Sequence, residues 1–183
     1  YWNKSLLLLL LGEFVSGWQL YEWRTNVKSI RHMYQTYPGR EWRGQQGLEN
    51  KTLLVYSEQG LGDTIQFSRY IRSLSAKCKT LIFEVPESLV SPLSSVDDNI
   101  KLLKKGATRP HFDFICPLMS LPYIYETTLE SVPNQVPYLR IEEHKLNKWS
   151  CLLGKKVKPR IGLAWSGAEK HKNDKNRSIP SHI

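Results

Sequence analysis

The stretch LLVYSEQGLGDTIQFSRYI, residues 53–71, decides how the rest of the chain is read. It opens on an apolar run without polar alternation, the mark of a strand buried on both faces. Gly60 and Gly62 then punctuate the chain, and Asp63 follows at the start of a second pattern. From there Ile65, Tyr70, Ile71 and Leu74 supply an apolar stripe, so residues 63–77 are expected to be a helix. A strand, a glycine turn and a helix in that order make the repeating unit of a parallel sheet.

Three readings compete for the turn. Backbone amides at a helix N-terminus attract anions, so the glycines suit a phosphate. The dinucleotide fingerprint G-x-G-x-x-G is not met, however, because Ile65 holds the third glycine's place. Glu84, about twenty residues on, has the position of a ribose-binding acid, but an aspartate at the helix start repels a pyrophosphate. No Walker lysine motif is present. The second reading is purely structural: Asp63 with Gln66 three residues later fits a capping box, which by itself accounts for both. The third makes Asp63 a carboxylate at a cleft edge, able to take a proton from a hydroxyl.

The same alternation continues along the chain. TLIFEV (80–85) is a second strand closed by Pro86, and a short helix is expected over 87–93. A weak strand follows at 100–103, then FDFICPL (112–118), the short strand PYLRI (137–141) and a helix over 142–153. RIGLAWSG (160–167) reads as one more apolar strand ending in Ser166 and Gly167. Strands alternating with helices imply a parallel sheet with helices on both faces, and ligands in such sheets bind at the strands' carboxyl ends. Gly60–Asp63 and Ser166–Gly167 both fall at such ends.

Upstream, residues 1–24 read as two helices meeting at Gly12. Gly12, Phe14, Gly17 and Tyr21 fall where a tetratricopeptide repeat places its turn glycine, aromatic, small residue and packing aromatic, and no second copy follows. Pro38, Gly39, Gly44 and Gly47 among charges make residues 36–51 a linker. Domains are therefore expected at 1–35, a helical hairpin; 52–155, a first sheet domain; and 156–183, the opening of a second. The chain starts without Met inside an apolar pattern and stops after NRSIPSHI, as a piece cut from a longer protein would.

Composition sets limits. With 40% hydrophobic and 23% charged residues the chain is of ordinary globular type. The leucine run Leu6–Leu11 is far shorter than the roughly 20 apolar residues of a membrane span. Three isolated cysteines, without CxxC or histidine spacing, suit free thiols in a reducing, cytoplasmic setting rather than disulfides or zinc. The net charge of +9 is concentrated late: ten Lys/Arg between Lys145 and Arg177 stand against Glu169 and Asp174. Such a block is a solvated face, an anion site or a nucleic-acid patch. The last finds no RNA-recognition motif or interleaved aromatics to support it.

SEQGLGDTIQFSRY, FDFICPLMSLP, VPYLRI and IGLAWSGAEKHKNDKNRSIP, in that order and spacing, resemble the bacterial tetratricopeptide-repeat glycosyltransferase-like proteins. Those are similar in architecture to O-linked N-acetylglucosamine transferases and lipopolysaccharide heptosyltransferases. The resemblance covers nearly the whole chain. It implies an α/β fold: a Rossmann-like parallel sheet, the N-terminal domain of a GT-B fold, preceded by a short repeat-like helical hairpin. It makes Asp63 the catalytic base, with Gly60, Gly62, Thr64 and Gln66 as the acceptor-side loop. Ser166, Gly167, Lys172, Asn176, Arg177 and Ser178 fall where related enzymes hold the donor's phosphates. Lys and Arg there would neutralise charge growing on the departing diphosphate. The implied partners are a nucleotide-sugar donor and a protein or glycan acceptor, with a peptide partner at the hairpin. Neither metal nor cofactor is implied, and a segment this short is expected to be inactive alone. The alternative is a non-catalytic binding module built on the same hairpin and sheet.

Overall fold

The computed structural model describes residues 1–29, 31, 34, 37–167 and 173–183. Two compact units divide between Glu142 and Glu143. The first is built on a four-stranded, all-parallel sheet of strand order β3-β2-β1-β4. Its strands are β1 (Thr52–Tyr56), β2 (Thr80–Val85), β3 (Ile100–Lys104) and β4 (Phe114–Pro117). β1 and β2 are buried along almost their whole length, which is why their sequences run apolar rather than alternate. β3 lies at one edge and carries Lys101 and Lys104 outward, charges that discourage a further strand from pairing there. On the other edge, Glu41 bridges to Ile115.

One face of the sheet holds the main core. Leu53, Val55, Leu81, Phe83, Phe114 and Cys116 pack against Phe67, Tyr70, Ile71, Leu74, Leu89 and Leu93. These come from α3 (Leu61–Phe67), a 3₁₀ turn Ser68–Tyr70, α4 (Ile71–Ser75) and α5 (Glu87–Leu93). The helix expected over 63–77 thus starts two residues earlier and changes pitch midway. There Ser68 donates its hydroxyl to the Ile65 carbonyl, competing with the regular ladder. The opposite face, Leu54, Tyr56, Ile82 and Ile115, is covered among the described residues by Tyr34, Tyr37, Leu103 and Phe112.

α1 (Trp2–Leu10) and α2 (Phe14–Tyr21) pack on each other across Gly12, which is left-handed with φ +82°. At Gly17 an added Cβ would come within 2.7 Å of the Leu9 side chain, so only glycine permits this helix approach. The pair is not a separate unit: Trp2, Leu9, Trp18 and Tyr21 join the sheet's own core. A 3₁₀ turn, Glu22–Asn26, continues α2; the 3₁₀ turn Leu118–Ser120 and α6 (Leu121–Ile124) follow β4.

Two expected strands are not formed. Residues 137–141 are irregular, and so is 160–167, where Ile161, Leu163 and Trp165 are exposed. An apolar run becomes a strand only when a neighbour takes its backbone groups, and the described residues of the second unit contain no strand to do so. That unit holds α7 (Glu143–Leu153), which falls with it rather than with the sheet as a boundary at 155 would require, and a 3₁₀ turn Asp174–Asn176.

Candidate functional site

β1 stops at Tyr56, and the next residues do three different things. Ser57 donates its amide to Glu84 of the neighbouring strand's end. Glu58 turns inward and is fully buried as a side chain. Gln59 takes a positive φ of 60° and turns the chain into Gly60.

The Glu58 carboxylate is met by Arg24, itself wholly buried, in a two-pronged pair: Nε donates to Oε2 at 3.1 Å and Nη2 to Oε1 at 2.8 Å. The Met119 amide adds a third bond at 3.0 Å. Arg24 also donates to the Ser120 hydroxyl at 2.8 Å and to Glu22, and the Ser120 hydroxyl in turn donates to Glu22 at 2.9 Å. Burial works against charge on Arg24, but Glu58 and Glu22 outweigh it and hold the guanidinium protonated beyond its ordinary range. Alongside, Gln59 donates to the Tyr21 hydroxyl at 3.0 Å. The α2 end and its 3₁₀ turn are thus clamped to the segment that leads into the glycine turn. None of this was assigned from sequence. The available signal was a carboxylate placed directly after an apolar strand, where it must find a partner.

Asp63 sits inside the first turn of α3, not at its cap. Gly60 is the N-cap, and its amide donates to Asp63 Oδ2 at 2.9 Å. The expected capping box between Asp63 and Gln66 is not formed, because the helix begins at Leu61: Asp63 stands at its third position and bonds back to Gly60, which has no side chain to return the bond. Thr64 is buried and donates its hydroxyl to the Gly60 carbonyl at 3.1 Å, so it shapes the turn from within. Gln66 is exposed on the helix. Gly60 is tight: an added Cβ would lie 2.9 Å from the Asp63 carboxylate. At Gly62 a Cβ would meet nothing within 4 Å, and its φ lies outside the left-handed region.

Glu84, the residue a dinucleotide reading sets on a ribose, is fully buried at the end of β2. Tyr37 donates to its Oε1 at 2.7 Å and Arg109 to its Oε2 at 2.7 Å. Both oxygens are engaged and the carboxylate is fully buried, so a ribose hydroxyl has no approach to it.

In the second unit, Gly167 donates its amide to the Ser178 hydroxyl at 3.0 Å, and Ser178 donates to Asp174 at 2.8 Å. The Arg177 guanidinium lies over Gly167, where an added Cβ would be 2.7 Å from Nη2. Ser166 is exposed next to them, whereas Asn176 turns to Asn173 at 2.6 Å. Lys172 lies outside the described residues. Gly167, Arg177 and Ser178 are therefore brought together by bonds and contacts among themselves and Asp174. Among the described residues, no group of three or more His, Cys, Asp or Glu gathers as a metal site, and no helix is long and apolar enough to cross a membrane.

A parallel sheet of this order, with polar groups gathered beyond its strand ends, defines an α/β protein of Rossmann-like build. No family model matches the chain, and no solved structure matches it. It is similar to protein FlbA of Caulobacter vibrioides, at 23% identity over 199 aligned positions that take in 98% of this chain and 33% of FlbA. The chain spans about a third of the length of that relative.

Proposed function

We propose that the chain carries the acceptor side of a GT-B-type glycosyl-transfer site, with Asp63 as the base, in a protein whose donor side begins in the loop 166–178. The observation that carries this reading is Gly62 beside Asp63. Glycine in the first turn of a helix costs stability relative to alanine. Here neither packing nor backbone asks for it, and the absent side chain leaves room for a ligand beside Asp63. Asp63, half-buried, has one oxygen engaged by Gly60 and the other left to accept a hydroxyl proton.

In the reaction an acceptor oxygen attacks the anomeric carbon and its proton passes to Asp63. The new C–O bond forms as the bond to the nucleoside diphosphate breaks, and the electron pair leaves with the diphosphate. Arg177, with Lys172, would take up that charge, Arg as a two-pronged donor and Lys as a point charge. Ser166, Gly167, Asn176 and Ser178 would surround the phosphates, and no metal or cofactor enters the scheme. Gly60 and Thr64 hold the turn in shape, while Gln66 faces the acceptor, a protein or glycan hydroxyl.

The test is Asp63→Asn in the full-length protein, followed by diphosphate release from a panel of nucleotide sugars. Asn still accepts the Gly60 amide but takes no proton, so the melting temperature should hold while turnover falls about 10²-fold or more. Turnover equal to the parent protein's, or no release from any donor by the parent protein, defeats the reading.

A second reading, a protein-binding module, rests on a separate observation. Leu7, Leu10, Leu11 and Val15 of the tetratricopeptide-like hairpin are 55%, 82%, 67% and 65% exposed, an apolar surface suited to a peptide or a neighbouring repeat.

A further inference from the structure

The strand order 3-2-1-4 contains one reversal: the chain steps from β1 outward to β3, then returns to place β4 on β1's other side. In open parallel sheets the crevice outside the strand ends at such a reversal is where ligands bind. Here a cleft of about 390 Å³ opens there, bounded by Tyr56 at the end of β1 and by Ile115 and Pro117 of β4. Its size is within the range of about 300–1,000 Å³ common for small-molecule sites. None of its lining residues belongs to the Gly60–Asp63 turn.

The lining excludes ligand classes one at a time. Glu22 and Glu41 both face the cleft, so a phosphate meets two carboxylates. Glu41 already has the Arg43 guanidinium and Glu22 shares Arg24 with Glu58, so an incoming cation must compete with both arginines. An apolar ligand would strip water from both carboxylates without replacing it. The Trp23 indole, 46% exposed and stacked on Tyr1, adds an aromatic wall.

We propose that this cleft is a second site, for one neutral saccharide unit. Such a ring carries hydroxyls that donate to Glu22 and Glu41, oxygens that accept from Arg43, and a C–H face that lies against an aromatic ring. The proposal goes beyond the assignment of Asp63 and does not depend on it.

Saturation-transfer NMR with the methyl glycosides of glucose, galactose, mannose and N-acetylglucosamine tests it, with inorganic phosphate and N-methylguanidinium as class controls. At least one glycoside is expected to bind and to shift the Trp23 indole signal. Trp23→Ala and Glu41→Gln should each weaken that binding about tenfold, the first by removing the aromatic wall and the second by removing one charge-assisted bond. Both residues are outside the core, so circular dichroism should show an unchanged fold. Asp63→Asn should leave the affinity as it was. Binding by none of the glycosides, occupation of the cleft by either control, or affinity that survives both cleft variants overturns the proposal. Loss of glycoside binding through Asp63→Asn alone would move the sugar to the glycine turn, refuting this site while supporting the transfer reading.

Discussion

Glu58 and Asp63 follow the same strand within a few residues of each other, and the fold treats them oppositely. Glu58 is buried and takes three bonds, two of them from an arginine contributed by the N-terminal helices. Asp63 is half-buried and takes one, from the local backbone. Glu84, at the end of the next strand, goes the way of Glu58, with Arg109 and Tyr37 in place of Arg24 and Met119. Two carboxylates at the strand ends thus hold distant segments onto the sheet, and the one left with a spare oxygen is the one the proposed transfer would use.

The largest effect separating these regions should come from Arg24→Met, which strands Glu58 without its counter-charge. A buried pair broken on one side costs about 3–5 kcal/mol, readable as a lower urea midpoint. Adding Glu58→Gln should recover part of that loss. If the single variant unfolds at the parent midpoint, the clamp is not what holds the helices.

A high-pH arm tests burial without changing a residue. Burial pushes the Cys78 thiol up to about 11 and the Tyr21 and Tyr125 phenols up to about 12. Because the folded values lie above the unfolded ones, their contribution is whole below about pH 9. It is lost as pH rises toward 12, where the unfolded chain releases protons first. Melting temperature should therefore stay level from pH 7 to 9 and fall beyond. Cys78→Ala should remove part of the earliest fall, the rest of which belongs to the buried Cys116 thiol, also raised by burial, and a decline beginning below pH 8 would contradict the assignment.

Arg109→Ala should cost less than the Arg24 variant, about 1.5–3 kcal/mol, since Arg109 is 29% exposed and water can reach Glu84 in its place. Equal losses for the two variants would remove the distinction between the clamps. Asp63→Ala gives up one bond at a helix start and should cost about 1 kcal/mol, with Asp63→Asn nearly neutral. The smallest effect has the opposite sign. Gly62→Ala should stabilise by about 0.5–1 kcal/mol, because the added methyl meets nothing and the unfolded chain loses freedom. A destabilised Gly62→Ala would mean the turn needs glycine for itself, and the ligand argument would lose its footing.

The sequence by itself determined the sheet. Apolar runs such as TLLVY and TLIFEV are too short for helices and lack alternation, so each strand of the first unit was legible, as was the helix over 87–93. The glycine turn at the end of β1 was legible for the same reason, since glycine spacing is a local signal. RIGLAWSG shows the limit: it has a strand's pattern but, among the described residues, no strand to pair with, and pairing is not encoded in the run itself. Only the tertiary structure decided which acids are spent. Arg24 and Glu58, Arg109 and Glu84, and the cleft between Glu22 and Glu41 join residues far apart in the chain. Periodicity reports which face of an element is apolar. It carries no information on which distant charge will fold over a strand end and neutralise it, because that choice is made by packing.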